Sequence, residues 1–340
     1  MSGTTQAASP SRTERAVAPD GGSAASGARR ELLHKLPWLV WRRHRAALRL
    51  GLLITVVACA VFAYQRMGIM DFLGGRSAPD LDGQQAEEFQ NRFNSTFKFD
   101  LAFLTFLPGI VGVFLGAPLI AGEQEHGTLK LVTTQSASRA RWITATLVLP
   151  LAVVVVCTTL LSVVFHWMWA PAHEIAAFGD WLDSGIFEST GPVLPARTLL
   201  FTVCGIAIGM LAKRVVTAMA VTAVFAAVFS VIWAAKVRHQ LGTLRDSVYP
   251  YDGDGPDLPP GSIRIDDWLS TAGGDLFGIS TCNDDETGAC RAKLGIVNRV
   301  TQYFDYGQMT GMQWLGAGIL LALTVAALAF VIWRARRRPL

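Results

Sequence analysis

Residues able to do chemistry are sparse in this chain, and most of them fail on spacing. His173 and Glu174 open "HEIAAF" like a zinc-protease helix, but Ala177 stands where the second ligand would sit one turn on, so no metal pair forms. "DGDGPD" at 252–257 starts like a calcium loop, yet Pro256 takes its fifth position and Ile263 its twelfth, where a carboxylate is required. There is no Gly-Lys dipeptide and hence no P-loop to cradle phosphates. What remains is "GEQEHGTLKLVTTQSASRARW", residues 122–142. It carries Glu123, Glu125 and His126, a Gly127-Thr128 break, the aliphatic run Leu129, Leu131 and Val132, and a return through Ser138, Arg139 and Arg141. That pattern suits binding a partner rather than catalysis. Thr128 can cap a short helix, whose leucines must either be covered by a soluble protein or dip into the membrane interface.

The elements flanking this insert are long and apolar. Hydrophobic residues make up 51% of the 340 and charged ones 16%, with mean hydropathy +0.36; soluble domains carry about 25% charge. Six runs approach the ~20 residues that a helix needs to cross the hydrocarbon layer: about Ala46–Tyr64, Leu101–Ala121, Trp142–Val164, Ala196–Ala212, Val215–Ala235 and Met312–Trp333. Backbone polar groups find no water there, so each span is predicted to be helical. Trp142, Trp167, Trp169, Trp233, Trp314 and Trp333 fall near the predicted ends, at head-group level. Lys and Arg gather before the first span, in the 122–141 loop, at Lys213-Arg214 and after Trp333. Segments 67–100 and 167–195 are acidic by comparison. Both termini and the 122–141 loop are therefore expected in the cytoplasm. The net charge of +4 follows topology, and no nucleic-acid surface is expected. Span interiors read as essentially free of ionisable groups, which argues against a proton-coupled carrier or an ion channel.

Residues 1–28, rich in Ser, Ala, Gly and Thr, are predicted to be a disordered cytoplasmic tail. Residues 29–45 suit an interfacial amphipathic helix, broken near Pro37, whose cations meet lipid head groups. Residues 236–311 read as an extracytoplasmic loop with too little core for an enzyme domain, followed by the last span and a basic tail through 340. In that outer loop Cys282 and Cys290 are predicted to form a disulfide, with two free thiols as the alternative. Cys59, Cys157 and Cys204 read as small packing residues inside spans. "GVFLG" places Gly112 and Gly116 one turn apart in the second span, and "GIAIG" does so with Gly205 and Gly209 in the fourth, so both faces permit close helix approach. Pro108, Pro118 and Pro150 can kink spans two and three.

"PLIAGEQEHGTLKLVTTQSASRARWITATL" resembles the signature of type 2 ABC transporter permeases. "WRRHRAAL" before span one and "MQWLGAGILLALTVAALAFVIWRARRR" at the end resemble an exporter subgroup with a Trp-Arg-x-His-Arg motif. The resemblance implies an all-α polytopic membrane protein with six transmembrane helices. It also implies a coupling helix at Glu123, Glu125, Gly127, Thr128, Leu129, Leu131, Val132, Ser138 and Arg139, docked on a separate ABC ATP-binding subunit. Outer re-entrant helices would stand between spans five and six. The chain itself would bind no cofactor and be no enzyme, ATP and Mg being used by the partner ATPase. It would work as a homodimer or with a second permease, among membrane lipid, as a multi-pass protein of a bacterial plasma membrane. The expected cargo of such an exporter is amphiphilic, and spans one, two and five would rearrange around a central pathway. A membrane sensor or resistance accessory that binds a soluble partner without moving cargo is the alternative.

Overall fold

The computed structural model describes residues 21–76, 81–125, 139–212, 214–282 and 287–337, with side chains described except at 21–44, 123, 139–146, 177–178 and 287. Helix α1 (Gly21–Leu73) is continuous. Helix α2 (Gly83–Val111) runs through a π-helical turn (Gly112–Gly116) into α3 (Ala117–Glu125). Helix α4 (Arg139–Trp169) is followed by two 3-10 turns and the short α5 (Ile186–Ser189). Helices α6 (Val193–Ala212) and α7 (Val215–Ile232) form a tight hairpin, as the basic pair between them leads one to expect. Helix α7 leaves through a second π-helical turn, Trp233–Val237, and a 3-10 turn, Arg238–Gln240. Helix α9 (Met309–Arg337) closes the bundle. Among the described residues six helices are long and apolar enough to cross a membrane, which makes this a multi-pass membrane protein with an all-α membrane part.

Helix α6 is the centre. In its apolar window 72% of residues are buried, against 17–44% in the other spans, and α2, α3, α4, α7 and α9 all pack on it. Helix α1 packs on α4 at the flank. Hydroxyls in these helices are satisfied locally: Thr158, Thr198, Thr202, Thr222 and Thr324 each donate to the carbonyl four residues earlier, which removes the cost of an unpaired donor in lipid.

Several helices outrun their apolar windows. Where the sequence suggests an interfacial helix broken near Pro37, the backbone stays helical from Gly21 to Leu73. Ala, Leu and Arg favour helix, and a proline removes one hydrogen bond without ending it. Residues 1–20 lie outside the described residues. The acidic segment 67–100, expected as a loop, is mostly helix. Asp82 accepts from the Gln85 N–H at 2.8 Å and Gln85 reaches back to the Asp82 N–H, which starts α2 with a capping box. Phe89, Phe93 and Phe97 then stack along α2, and Phe89 and Phe93 meet Phe72 of α1 edge-on.

Segment 236–311 is more than a loop. It holds β1 (Arg245–Pro250), β2 (Ile263–Thr271), β3 (Leu276–Gly278), helix α8 (Thr287–Leu294) and β4 (Ile296–Phe304). The strands form one antiparallel sheet in the order β1-β4-β2-β3. Leu269, Ile296 and Cys282 make a small core beneath it, and Cys282 is disulfide-bonded to Cys290 with Cα atoms 5.8 Å apart. Phe304 enters the main core beside Met309 and Met312, and the Trp181 indole N–H donates to the Gly261 carbonyl at 3.0 Å. The re-entrant elements expected between spans five and six are therefore replaced by a sheet. Short helical turns instead fill the connection from span three to span four, where Trp181, Leu182, Ile186 and Phe187 are fully buried.

Replacing both Cys282 and Cys290 with Ser removes a nine-residue ring. The sheet unit is expected to lose about 2.5 kcal/mol, seen as earlier proteolysis between 245 and 304 in urea while the helical circular dichroism midpoint stays unchanged.

Candidate functional site

On the hairpin side of the bundle, where α3 ends and α4 begins, the structure places the first residues of the predicted docking insert. The Glu125 carboxylate accepts from the Val215 N–H at 2.8 Å and thereby caps α7, whose N-terminal residue Arg214 offers no side-chain cap of its own. The Gln124 amide reaches the Met210 carbonyl at 3.4 Å. The root of the insert is thus tied to the α6–α7 hairpin, and any displacement there is felt at the start of α7. Glu123 and Arg139 lie in helical backbone with undescribed side chains. Gly127, Thr128, Leu129, Leu131, Val132 and Ser138 lie outside the described residues.

About 30 Å of helix, the length of the 20-residue α6, connect that side to the other, through the glycines that the sequence singled out in pairs. The structure brings all four together. A Cβ on Gly112 would lie 2.8 Å from the Phe201 carbonyl oxygen, and one on Gly116 2.5 Å from that of Thr202. From the other side, a Cβ on Gly205 would meet the Gly112 carbonyl at 2.5 Å, and one on Gly209 would collide with the Ala117 carbonyl. The π-helical turn sits at this crossing, four residues beyond Pro108, whose ring removes a donor from the ladder. The α2–α3 backbone therefore lies directly on the α6 backbone.

On the opposite side, near the sheet, the structure reveals charges that sequence reasoning overlooked. Arg238, only 8% exposed, pairs with Glu188, 5% exposed, at 3.0 Å and also with Asp183. His239 stands 3.2 Å from the same Asp183. The second π-helical turn rotates the end of α7 so that Arg238 points inward toward α5. Arg197 of α6 donates to the Ser230 hydroxyl at 2.6 Å. Gln313 of α9 bridges to Phe187 O and Thr190 O at 3.2 Å each and to the Thr190 hydroxyl at 2.8 Å. Asp100 of α2, 4% exposed, is bonded to Gln65 of α1 at 3.3 Å. The expectation of charge-free span interiors is corrected by Arg197 inside the fourth span and by Asp100 at the edge of the second, and these groups sit toward the sheet side, where Arg238 is paired with Glu188 and Asp183. One signal was visible beforehand, because Arg197 falls inside the predicted fourth span. Two predicted interfacial tryptophans are also corrected. Trp169 and Trp233 are buried in the core, while Trp167, Trp314 and Trp333 are exposed.

Among the described residues no group of His, Cys, Asp and Glu could hold a metal ion. The buried polar groups hold helices together. A family model described as "ABC-2 membrane transporter related" matches residues 52–238, more than half of the chain. No curated protein and no solved structure matches it.

Gly209→Val drives a side chain into the Ala117 backbone, which cannot yield as a flexible side chain would. A loss of at least about 2 kcal/mol is expected, read as a lower thermal midpoint and aggregation in detergent. Gly318→Val, at a position with nothing within 4 Å, should behave as the wild type does.

Proposed function

The chain belongs to the ABC-2 membrane transporter related family, and from that premise we propose that it is the membrane-spanning subunit of an ATP-driven exporter in a bacterial plasma membrane. The family match carries this reading, because residues 52–238 contain five of the six spans and the whole insert between α3 and α4. As a permease component of an ABC transporter, the chain pairs with an ABC ATP-binding subunit. In the proposed arrangement residues 122–141 dock on that subunit from the cytoplasm, with Glu123 and the aliphatic run from Leu129 to Val132 as the contact.

The mechanics follow from the geometry of the root. When the ATP-binding subunits close, the insert shifts. Glu125 carries the shift to the α7 N-terminus through its 2.8 Å bond to Val215, and α3 carries it into the glycine crossing with α6. Two copies of the chain, or this chain and a second permease, enclose the pathway. The cargo is amphiphilic, since the helix faces in the apolar windows present hydrocarbon rather than charge. ATP and Mg stay on the partner, and this chain contributes no catalytic residue.

Co-expression with the ATP-binding subunit tests the reading. Wild type should co-purify with it and stimulate its hydrolysis, whereas Glu123→Arg and Leu131→Asp should each lower recovery at least about tenfold, the loss of one well-buried contact. Unchanged recovery and hydrolysis in both variants would remove the docking role. Firm binding without any change in hydrolysis would favour a sensor or accessory instead.

A further inference from the structure

Helices α1 and α2 face each other. Gln65 of α1 meets Asp100 of α2, and Gly68 lies against Phe93. The two helices do not fill the space between them. Toward the hairpin side, α1, α2 and α4 leave an almost wholly apolar cavity of about 200 Å³, lined by Gly51, Ile54, Ile110, Phe114, Val154 and Cys157. Toward the sheet side the same two helices part into a wider cleft of about 780 Å³, lined by Tyr64, Gln65, Asp71, Arg92 and Thr96. Gln65, on the wall of the cleft, carries the bond to the buried Asp100.

That bond leaves two atoms unsatisfied. Asp100 Oδ2 and Gln65 Oε1 are buried with no hydrogen-bond partner, and both are acceptors, so the group that would complete them is a donor. A carboxylate oxygen left unpaired in a membrane span is costly. The surrounding charge has a sign as well: Asp71 and Arg92 line the cleft, Asp100 adds a second carboxylate through its bond to Gln65 on the cleft wall, and Arg92 is itself drawn over the Phe93 ring at 5.4 Å. A primary ammonium group supplies up to three donors and the opposite charge. The lower lobe, the apolar one, lies between α1, α2 and α4.

We propose that the α1–α2 groove binds a single-chain amphiphile bearing a primary ammonium group, with the chain in the apolar lobe and the ammonium donating to Asp100 Oδ2 and Gln65 Oε1. Entry is lateral, from the bilayer, and requires α1 to part from α2 at the Gln65–Asp100 contact. This names a site and a head group for the amphiphilic cargo proposed above and rests on that reading only for the ligand's role as cargo. Binding itself needs no ATP-binding subunit, so the two ideas fail separately.

The test uses the purified full-length chain in phosphatidylcholine nanodiscs, without ATP or partner, and a photoactivatable twelve-carbon alkylamine. Labelled peptides should map to residues 47–61 and 107–115, and dodecylammonium should suppress labelling where dodecyl sulfate does not. Asp100→Asn, which keeps the shape and removes the charge, should weaken that competition at least about tenfold. Gly51→Leu, whose side chain grows into open space, should abolish labelling of the lower lobe in protein that stays monodisperse. Labelling spread evenly over lipid-facing residues, or competition unchanged in either variant, overturns the proposal. Displacement of the label by phosphatidylethanolamine in the disc but not by dodecylammonium overturns the choice of a single-chain ligand.

Discussion

Where α2 passes into α3 across α6, four glycines leave two backbones with no side chain between them. Almost every other feature of the bundle is arranged around that contact. Lipid supplies no hydrophobic drive for helices to associate, so close van der Waals approach of backbones must do so. The π-helical turn at Gly112–Gly116 fits this need: it relaxes the ladder after Pro108 and lays the following helix along α6. With that crossing fixed, α6 becomes the enclosed centre, and α4, α7 and α9 pack around it. Helix α1 is different. It meets α2 across two lobes of unfilled space, a long Gln65–Asp100 hydrogen bond and the Phe72 contacts with Phe89 and Phe93. The bundle thus has a close seam and a looser one.

The charges near the sheet complete the picture from the other side. Arg238 could not be buried without Glu188 and Asp183, since a lone buried cation is more expensive than its attraction to any one partner repays. The cluster binds α5 and the end of α7 into one unit, and Gln313 adds α9. The sheet rests on this platform through Phe304 and the Trp181–Gly261 bond. The sheet-side half is therefore stitched by buried polar bonds, while the half nearer the insert relies mainly on packing, with Glu125 and Gln124 bonded to the α6–α7 hairpin.

Much of this was legible from residue spacing. The six spans follow from run length, the α6–α7 hairpin from Lys213-Arg214, and the close-approach faces from two Gly-x-x-x-Gly steps, although nothing in the spacing told that the two would meet each other. Hydropathy misses the first half of α2, because its helical stripe of Phe89, Phe93 and Phe97 is diluted by the exposed Glu87, Glu88, Arg92 and Lys98. The sheet escaped for a related reason. "IVNRVTQYF" is rich in β-branched and aromatic residues, but its apolar side chains read equally well as lying on a membrane, and only pairing with β1 and β2 decides between them. Buried ion pairs join residues such as Glu188 and Arg238 that are far apart in the chain, and no local pattern announces such a meeting.

The central claim is that α2, α3 and α6 move as one body while α1 moves against them. Spin labels at lipid-exposed positions test it in the assembled transporter in liposomes, with Cys59, Cys157 and Cys204 replaced. One pair, Phe106→Cys with Leu211→Cys, spans the glycine crossing. The other, Val57→Cys with Phe106→Cys, spans the α1–α2 groove. Trapping the nucleotide-bound state should leave the first distance distribution superimposable on that of the resting state and shift the second. A shifted or broadened distance across the glycine crossing, with the α1–α2 distance unchanged, would contradict the account.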